Sequence, residues 1–145
     1  MNLSKDIKIT VVEAAAAAGT TELVSDVLDM QGWGGVMFIA LLGDVTDTSV
    51  LTLTAKGNSA NHVSSPTPVT QASATFTADA STADSKVLMV DVYNPQLRYM
   101  FASLTRATAN AVVGGVIAIQ YQPASKPTSQ DATVIASAIA AGTAA

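Results

Sequence analysis

Cysteine is absent from this 145-residue sequence, and charged and aromatic side chains are scarce. Without cysteine, no disulfide framework can hold the fold, and thiolate zinc sites are excluded. Charged residues make up 12 % of the chain, which is about half the usual share. A chain with so little charge has to hide much of its surface against another sheet or a neighbouring subunit.

No cluster of basic residues and no long apolar run occurs in the chain. The seven Lys and Arg residues are scattered and the net charge is −4, whereas nucleic-acid binding needs a concentrated positive patch. The longest apolar run, residues 36–43, is far too short to span a bilayer. The opening MNLSKDIKI lacks the plan of a signal peptide. We therefore expect a protein that is made and assembled in a cytoplasm and binds neither nucleic acid nor membrane.

Alternation of apolar residues at period two is the strongest structural pattern, and it is clearest over residues 86–121. Three extended runs there are separated by Asn-Pro and by Thr-Arg-Ala-Thr-Ala-Asn. β-branched and aromatic residues in this pattern indicate an antiparallel sheet. The side chains predicted to be buried are Leu51, Leu53, Val90, Val92, Phe101, Ile117 and Ile119.

Further strands are predicted along the rest of the chain, at residues 7–11, 23–30, 36–42, 49–55 and 72–77, the last with Phe76 pointing inward. The run at 36–42 is nearly continuously apolar, which is typical of a strand buried on both faces. The alanine run 14–18 is too short for a stable helix and is interpreted as a connection. Residues 31–35 and 43–48 are predicted turns, and 56–71 is predicted to be a long loop.

About eight short strands separated by turns predict an all-β protein. We expect a single β-sandwich or jelly-roll-like domain over residues 1–121. An extended, alanine-rich C-terminal arm should follow over residues 122–145. The prolines at 123 and 127 favour an extended arm because they remove backbone donors.

Candidate catalytic and metal-binding residues are few. His62 is the only histidine and lies in a Gly/Asn/Ser/Pro segment, so we interpret it as an exposed loop residue. Asp26, Asp29, Asp44 and Asp47 match no calcium-loop spacing. A carboxylate pair that cleaves glycosides would normally be accompanied by several aromatic residues, and the chain has one tryptophan. The glycines at 31–35 lack the ending of a phosphate loop. We expect no enzymatic activity, no cofactor and no metal.

Three residues are candidates for contacts between subunits. Trp33 is either a core residue or an interface anchor, since tryptophan is enriched at interfaces. Arg98 and Arg106 flank a strand in an otherwise uncharged region. They either keep the two ends of that strand in water or bond to carboxylates and carbonyls of a neighbouring subunit.

The C-terminal arm supplies three further interface candidates. Val134, Ile135 and Ile139 are the only sizeable apolar side chains among small residues there. A free segment of this composition has too little apolar surface to fold alone. We predict that the arm crosses to a neighbouring subunit, with a disordered surface tail as the alternative.

Four segments together resemble a known family: DMQGWGGVMFIALLG (29–43), VDVYNPQLRY (90–99), RATANAVVGGVIAIQY (106–121) and PTSQD (127–131). They are similar to small structural proteins of tailed bacteriophages, which look like head decoration (cement) proteins. The resemblance implies a β-sandwich or jelly-roll protomer that forms a homotrimer. It also implies a position on the outside of the capsid, bound to the major capsid protein, and it brings no catalytic residues.

The resemblance leads to one principal hypothesis and two alternatives. A decoration protein would clamp neighbouring capsid subunits by adding buried area across their seams, and many copies add by multivalency. The first alternative is a tail or head–tail joining subunit, which differs in copy number per particle. The second is a carbohydrate- or receptor-binding module, which a glycan-binding screen would detect.

Overall fold

A computed structural model describes residues 2–64 and 69–142 and gives an almost entirely β protein. After a short 3₁₀ turn at Leu3–Lys5, the described residues form ten strands. The strands are β1 (Lys8–Glu13), β2 (Ala16–Gly19), β3 (Leu23–Val24), β4 (Leu28–Asp29), β5 (Trp33–Val45), β6 (Val50–Asn58), β7 (Val69–Thr77), β8 (Val87–Tyr93), β9 (Tyr99–Ala107) and β10 (Ala111–Pro123). The predicted all-β class is confirmed.

The strands form two antiparallel sheets that pack against each other. Sheet A has the order β1-β10-β5-β8, with β2 also paired to β10. Sheet B has the order β3-β9-β6-β7, with β4 also paired to β9. Because β1 and β2 share one side of β10, and β3 and β4 share one side of β9, the ten strands fill eight positions. The nested pairs β1–β10, β3–β9, β5–β8 and β6–β7 are the strand order of a jelly roll. The predicted sandwich of about eight strands is confirmed.

The core lies between the sheets and is mainly aliphatic. It includes the fully buried Phe38, Leu51, Leu53, Leu104 and Val113. The predicted burial is confirmed for Leu51, Leu53, Val90, Val92 and Phe101.

The predicted burial of Ile117 and Ile119 is wrong. Both side chains are only half-buried, and the alternate residues Val116, Ala118 and Gln120 face the core instead. Strand β10 is apolar on both of its faces, so a period of two identifies the strand but not its inner face. Pairing of β10 with β5 decides the face, because it aligns Ala118 with the buried Phe38.

Two elements near the N-terminus differ from the sequence prediction. The predicted connection at 14–18 contains a strand, since Ala16 and Gly19 pair with Val113 and Ala111 of β10. The predicted strand at 23–30 is present as the two short strands β3 and β4, both paired to β9. In both places the long partner strand provides the backbone hydrogen bonds, which local propensity does not register.

Glycines in the predicted turn at 31–35 have two different roles. Gly32 has φ of 86° and makes the turn, a conformation that favours glycine. Gly34 and Gly35 already lie in β5, where the side chains of Gln122 and Tyr121 occupy the space of a Cβ. The turn is therefore shorter than predicted, and two of its glycines allow a close approach from β10.

The remaining boundaries shift by a few residues. Strand β5 extends to Val45, so the turn predicted at 43–48 starts later. The predicted loop 56–71 is shortened from both ends by β6 and β7, and Pro66 and Pro68 lie outside the described residues. Phe76 is aligned with the buried Leu51 and so faces the core side, as predicted, but it is 42 % exposed. Strand β10 continues to Pro123 and so includes the first two residues of the predicted arm.

Arg106 closes one end of the sandwich from the inside. It is 5 % exposed. Its Nε donates to the carbonyl of Thr21 at 2.9 Å, and its Nη1 donates to the carbonyls of Ala17 and Ala111 at 2.8 and 2.7 Å. Neither a strand end kept in water nor a bond to a neighbouring subunit describes this side chain. We therefore correct both interpretations of Arg106 to a structural role within the protomer.

The structure predicts that Arg106→Met destabilises the fold strongly. The substitution keeps the length of the side chain but leaves buried carbonyls without their donor, at about 1–3 kcal/mol for each unsatisfied group. We expect the free energy of unfolding in urea to fall by about 3 kcal/mol. Arg98→Met is the matched control, because its guanidinium lies in solvent, and it should lose clearly less. Equal losses for the two variants would contradict the structural role of Arg106.

Candidate interaction surface

The outer surface of sheet A is an apolar face four strands wide, which we call the A face. In one row across the sheet Ile9, Ile119, Met37 and Asp91 are aligned, and the neighbouring row is Val11, Ile117, Ile39 and Met89. The A face comprises Ile9, Val11, Met37, Ile39, Leu41, Val87, Met89, Asp91, Tyr93, Ile117, Ile119 and Tyr121. Leu41, Val87, Met89 and Tyr93 are 47 %, 55 %, 55 % and 69 % exposed. Asp91 is the one charged member of this set.

The outer surface of sheet B has the opposite chemistry. Thr52 and Thr75 share a hydrogen bond of 3.2 Å between their hydroxyls, and Thr54 and Ser73 share another of 3.2 Å. Cross-strand hydroxyl pairs of this kind suit a face in contact with water. The shared core accounts for the inward-facing apolar residues of both sheets. It does not account for the outward-facing apolar residues of sheet A.

The A face is large enough to form a substantial part of an interface. Four strands at about 4.8 Å spacing and seven residues at about 3.3 Å rise give roughly 400 Å² of flat area. The largest apolar patch of a typical monomer is about 300–600 Å², and such patches are often functional. A stable complex buries about 800 Å² on each partner, so a partner on this face would also cover its rim.

A tyrosine engages the single carboxylate of the A face. The hydroxyl of Tyr121 donates to Oδ1 of Asp91 at 2.5 Å. Gly35 lies between them in β5, and its missing side chain leaves room for the tyrosine ring to cross that strand. Burial raises the pKa of Tyr121 to about 12, and the hydrogen bond to Asp91 adds to this effect. The carboxylate of Asp91 therefore has a neutral tyrosine hydroxyl as its hydrogen-bond partner on this face.

Trp33 and Arg98, which the sequence singled out separately, line the same open cleft of about 330 Å³. The other lining residues are Met30, Gln31, Pro95, Gln96 and Leu97. Arg98 binds Asp29 through two contacts, Nε to Oδ1 at 2.9 Å and Nη2 to Oδ2 at 2.8 Å. The hydrogen bond from Arg98, together with one from the backbone N–H of Gln31, lowers the pKa of Asp29 to about 2. Trp33 is half-buried and packs on the core, and its role as an interface anchor stays a prediction.

The first part of the C-terminal arm lies along the free edge of its own β1. The backbone N–H of Ile9 donates to Oε1 of Gln130 at 2.8 Å, and that of Val11 donates to Oγ1 of Thr133 at 3.0 Å. Nε2 of Gln130 donates to the carbonyl of Ile7 at 2.8 Å. Side chains of the arm thus take the place of a neighbouring strand and cover this sheet edge.

Beyond Val134 the described residues of the arm are exposed. Val134 is half-buried, whereas Ile135 is 99 % exposed and Ile139 is 51 % exposed. The two isoleucines therefore present apolar surface to solvent. Crossing of the arm to a neighbouring subunit stays a prediction.

The polar residues considered for chemistry lie apart from these surfaces. His62 is exposed in a loop, as expected. Oδ1 of Asp47 accepts a hydrogen bond from the backbone N–H of Ala80 at 3.0 Å, which fixes a loop. In residues 2–64 and 69–142, no three His, Asp or Glu side chains come together in a way that could hold a metal ion. No helix in the described part of the chain is long and apolar enough to cross a membrane.

Comparison with known proteins gives a distant likeness in fold. No family model matches the sequence, and no curated protein matches it either. Among solved structures, the chain is similar to the one titled "Structure of Eiger TNF from S. frugiperda" at a TM-score of 0.38 and 8 % identity. The match covers 90 % of this chain and 94 % of the other. A likeness at this level assigns the chain to no family.

The sequence contains a pattern that comes from the A face, but the pattern predicts burial rather than exposure. The continuous apolar run at 36–42 predicted a strand buried on both faces. In the protomer, β5 buries Val36, Phe38 and Ala40 on one face, while Leu41 on the other is exposed. The pattern predicts that something packs on the outer face of β5 as well. Nothing in the described residues of a single chain does so at Leu41.

We predict that Tyr121 titrates at about pH 12, as followed by tyrosinate absorbance, and that Tyr121→Phe removes this transition. Because the folded-state pKa is raised, the neutral phenol stabilises the fold fully below the unfolded value of about 10. This contribution is lost as the pH rises through 12.

Gly35→Ala should displace the ring from Asp91 and move the transition to lower pH, whereas Gly142→Ala, whose Cβ meets open space, should not. A transition that is unchanged in Gly35→Ala would contradict the arrangement.

Proposed function

We propose that this chain is a non-enzymatic structural subunit of a phage virion. In this proposal it assembles into a homotrimer through the A face and binds the outside of the head as a decoration protein. The observation that carries the proposal is the apolar A face on a sandwich whose other outer surface is lined by hydroxyls. The family resemblance supports a phage head as the particle to which the chain binds. It is carried by residues 29–43, 90–99, 106–121 and 127–131.

Self-association accounts for the apolar character of the A face. An isolated subunit would leave Val87 and Met89, each 55 % exposed, in water next to Leu41. Apolar surface in water is unfavourable by about 25 cal/mol per Å², so burying this face against another copy stabilises the assembly. Closed cyclic symmetry gives each copy the same contacts and leaves no face open. The low charge of the whole chain favours the same arrangement.

Clamping is the mechanism that a decoration protein of this kind would use. A trimer that contacts several capsid subunits adds buried area across their seams. Each contact needs only modest affinity, because the linked contacts form at a high effective concentration. The activity is a gain in mechanical strength of the shell, and it requires no reacting group.

The glycan-binding alternative also has a specific observation in its favour. The cleft at Trp33 combines an aromatic ring with the amides of Gln31 and Gln96 and the charges of Arg98. Sugars are bound by such combinations of ring and polar groups, and jelly rolls include lectin domains. The fold by itself decides nothing between these functions. The joining-subunit alternative has no separate observation in its favour.

For the assembly, we predict that the purified protein sediments at three times the mass of its 14.7 kDa chain. Met89→Asp places a carboxylate on the exposed β8 side of the A face and should shift the protein to monomers. Burying an unpaired charge raises the dissociation constant by about 30-fold or more. Thr105→Asp is the matched control on the outer face of sheet B and should leave the trimer unchanged. A wild-type monomer at high concentration would contradict the proposal.

For the particle, the protein should be added to heads that lack it and counted by cryo-electron microscopy. We expect hundreds of copies on the outer shell and resistance of the heads to osmotic shock or heating. A handful of copies at one vertex would favour the joining subunit instead. Failure to bind heads together with a positive glycan array, abolished by Trp33→Ala, would favour the glycan-binding module.

A further inference from the structure

Sheet A has one covered edge and one edge that is open to a further strand. The β1 edge is covered by Gln130 and Thr133 of the arm. At the opposite edge, β8 has β5 as its only strand partner in the described residues. Strand β8 reads VLMVDVY, with one charge and no proline. An edge of this kind is a template for a further strand.

A groove lies next to the β8 edge, between β8 and β7 on the open side of the sandwich. It has a volume of about 370 Å³ and is lined by Leu42, Thr75, Phe76, Thr82, Ala83, Lys86 and Leu88. The aliphatic and aromatic members dominate its wall, and Phe76 is 42 % exposed there. The groove can therefore take an apolar side chain of modest size from a strand added at β8.

The arm contains a segment that matches this edge. Residues 135–142, IASAIAAG, carry no charge and have small side chains apart from two isoleucines. Ile135 is 99 % exposed. Residues 135 and 139 fall on the same side of an extended chain, about 13 Å apart. Eight residues in this conformation are enough to pair along the whole of β8, which has seven.

We propose that residues 135–142 of one protomer add as an extra strand to the β8 edge of a second protomer, with an isoleucine in the groove beside Phe76. This inference rests on the proposed self-association, and it identifies where the arm of each copy binds. Backbone hydrogen bonds to β8 supply the affinity, and the isoleucine supplies the specificity, as in other cases of strand addition. Gln130 and Thr133 hold the start of the arm on its own β1, so the arm ties two subunits together.

A second copy is a better recipient than the same chain. The arm lies one spacing outside β1, and a strand added at the other edge lies one spacing outside β8, so the two positions are five strand spacings apart, about 24 Å. Crossing this distance uses about seven residues at 3.3 Å each, which are residues 134–140. Neither Ile135 nor Ile139 would then remain to pair with β8 of the same chain. In a second copy the whole segment from Ile135 onward is available.

Disulfide trapping tests the site directly, because the chain has no cysteine of its own. Chains with Ile139→Cys are mixed with chains carrying Phe76→Cys, dissociated and reassembled together, and then oxidised. We expect a linked product of twice the chain mass on a non-reducing gel. Ile139→Cys mixed with Thr105→Cys, an exposed position on the outer face of sheet B, is the matched control and should give at least tenfold less product.

The double variant Ile139→Cys/Phe76→Cys in one chain distinguishes the two recipients. Ladders of linked chains are expected if the arm crosses to a neighbour. A product that stays at the mass of one chain would overturn the proposal in favour of the arm binding its own protomer.

A second pair of variants separates the arm from the assembly as a whole. Ile135→Ser/Ile139→Ser should raise the dissociation constant of the trimer at least tenfold, while Ala136→Ser/Ala138→Ser on the same arm should not. If the wild type is a trimer and both double variants behave like it, the arm proposal is wrong and the proposed self-association stands. If the wild type is a monomer, the proposed self-association is wrong and the arm proposal is wrong with it.

Discussion

The antiparallel ladder between β5 and β10 is the longest in the molecule, and the rest of sheet A is attached to it. It runs from the pair Ala111–Val45 to the pair Pro123–Trp33. The ladder sets which side chains of both strands face sheet B, and β1 and β8 then follow the same register on either side. A shift of one residue in this ladder would exchange the inner and outer faces. The core and the A face are therefore two consequences of a single register.

The register is fixed partly by positions where a side chain is missing. Gly34 and Gly35 accept the side chains of Gln122 and Tyr121 from β10, and Gly114 lies beside Leu41 of β5. Near its middle, β10 has an irregular step at Gly115, where φ is 139°. On both sides of this step, apolar residues of β10 continue to face the core. Such irregularities adjust a strand to its neighbours without ending the pairing.

The few charged side chains discussed above lie in separate places, and each has a hydrogen-bond partner within the protomer. Arg106 is buried and serves the backbone of its own chain. Arg98 and Asp29 form an exposed pair, which contributes little to stability at the surface. Asp91 is bound by Tyr121 on the A face. The A face keeps this single charge, and the hydrogen bond from Tyr121 lowers the desolvation cost of burying the carboxylate against a partner.

Much of the architecture could be predicted from local pattern. Alternation identified the strands around Leu51, Val90 and Phe101, because side chains in a strand point to opposite sides by geometry alone. Glycine at position 32 marked a turn because it has positive φ there. The strand at Ala16–Gly19 was not predicted, since alanine has little preference for strands and the element exists only through its pairing with β10.

The candidate surfaces divide in the same way between sequence and tertiary structure. The sequence by itself determined that the chain is all-β, that it is poor in charge, and that it carries apolar residues on both sides of β5 and β10. Only the tertiary structure decided that Ile117 and Ile119 lie outside the core and that Trp33 and Arg98 meet in one cleft. It also decided that the arm covers the edge of β1. The physical reason is that period and composition are local properties, whereas the choice of face, edge and neighbour depends on pairing between strands far apart in the chain.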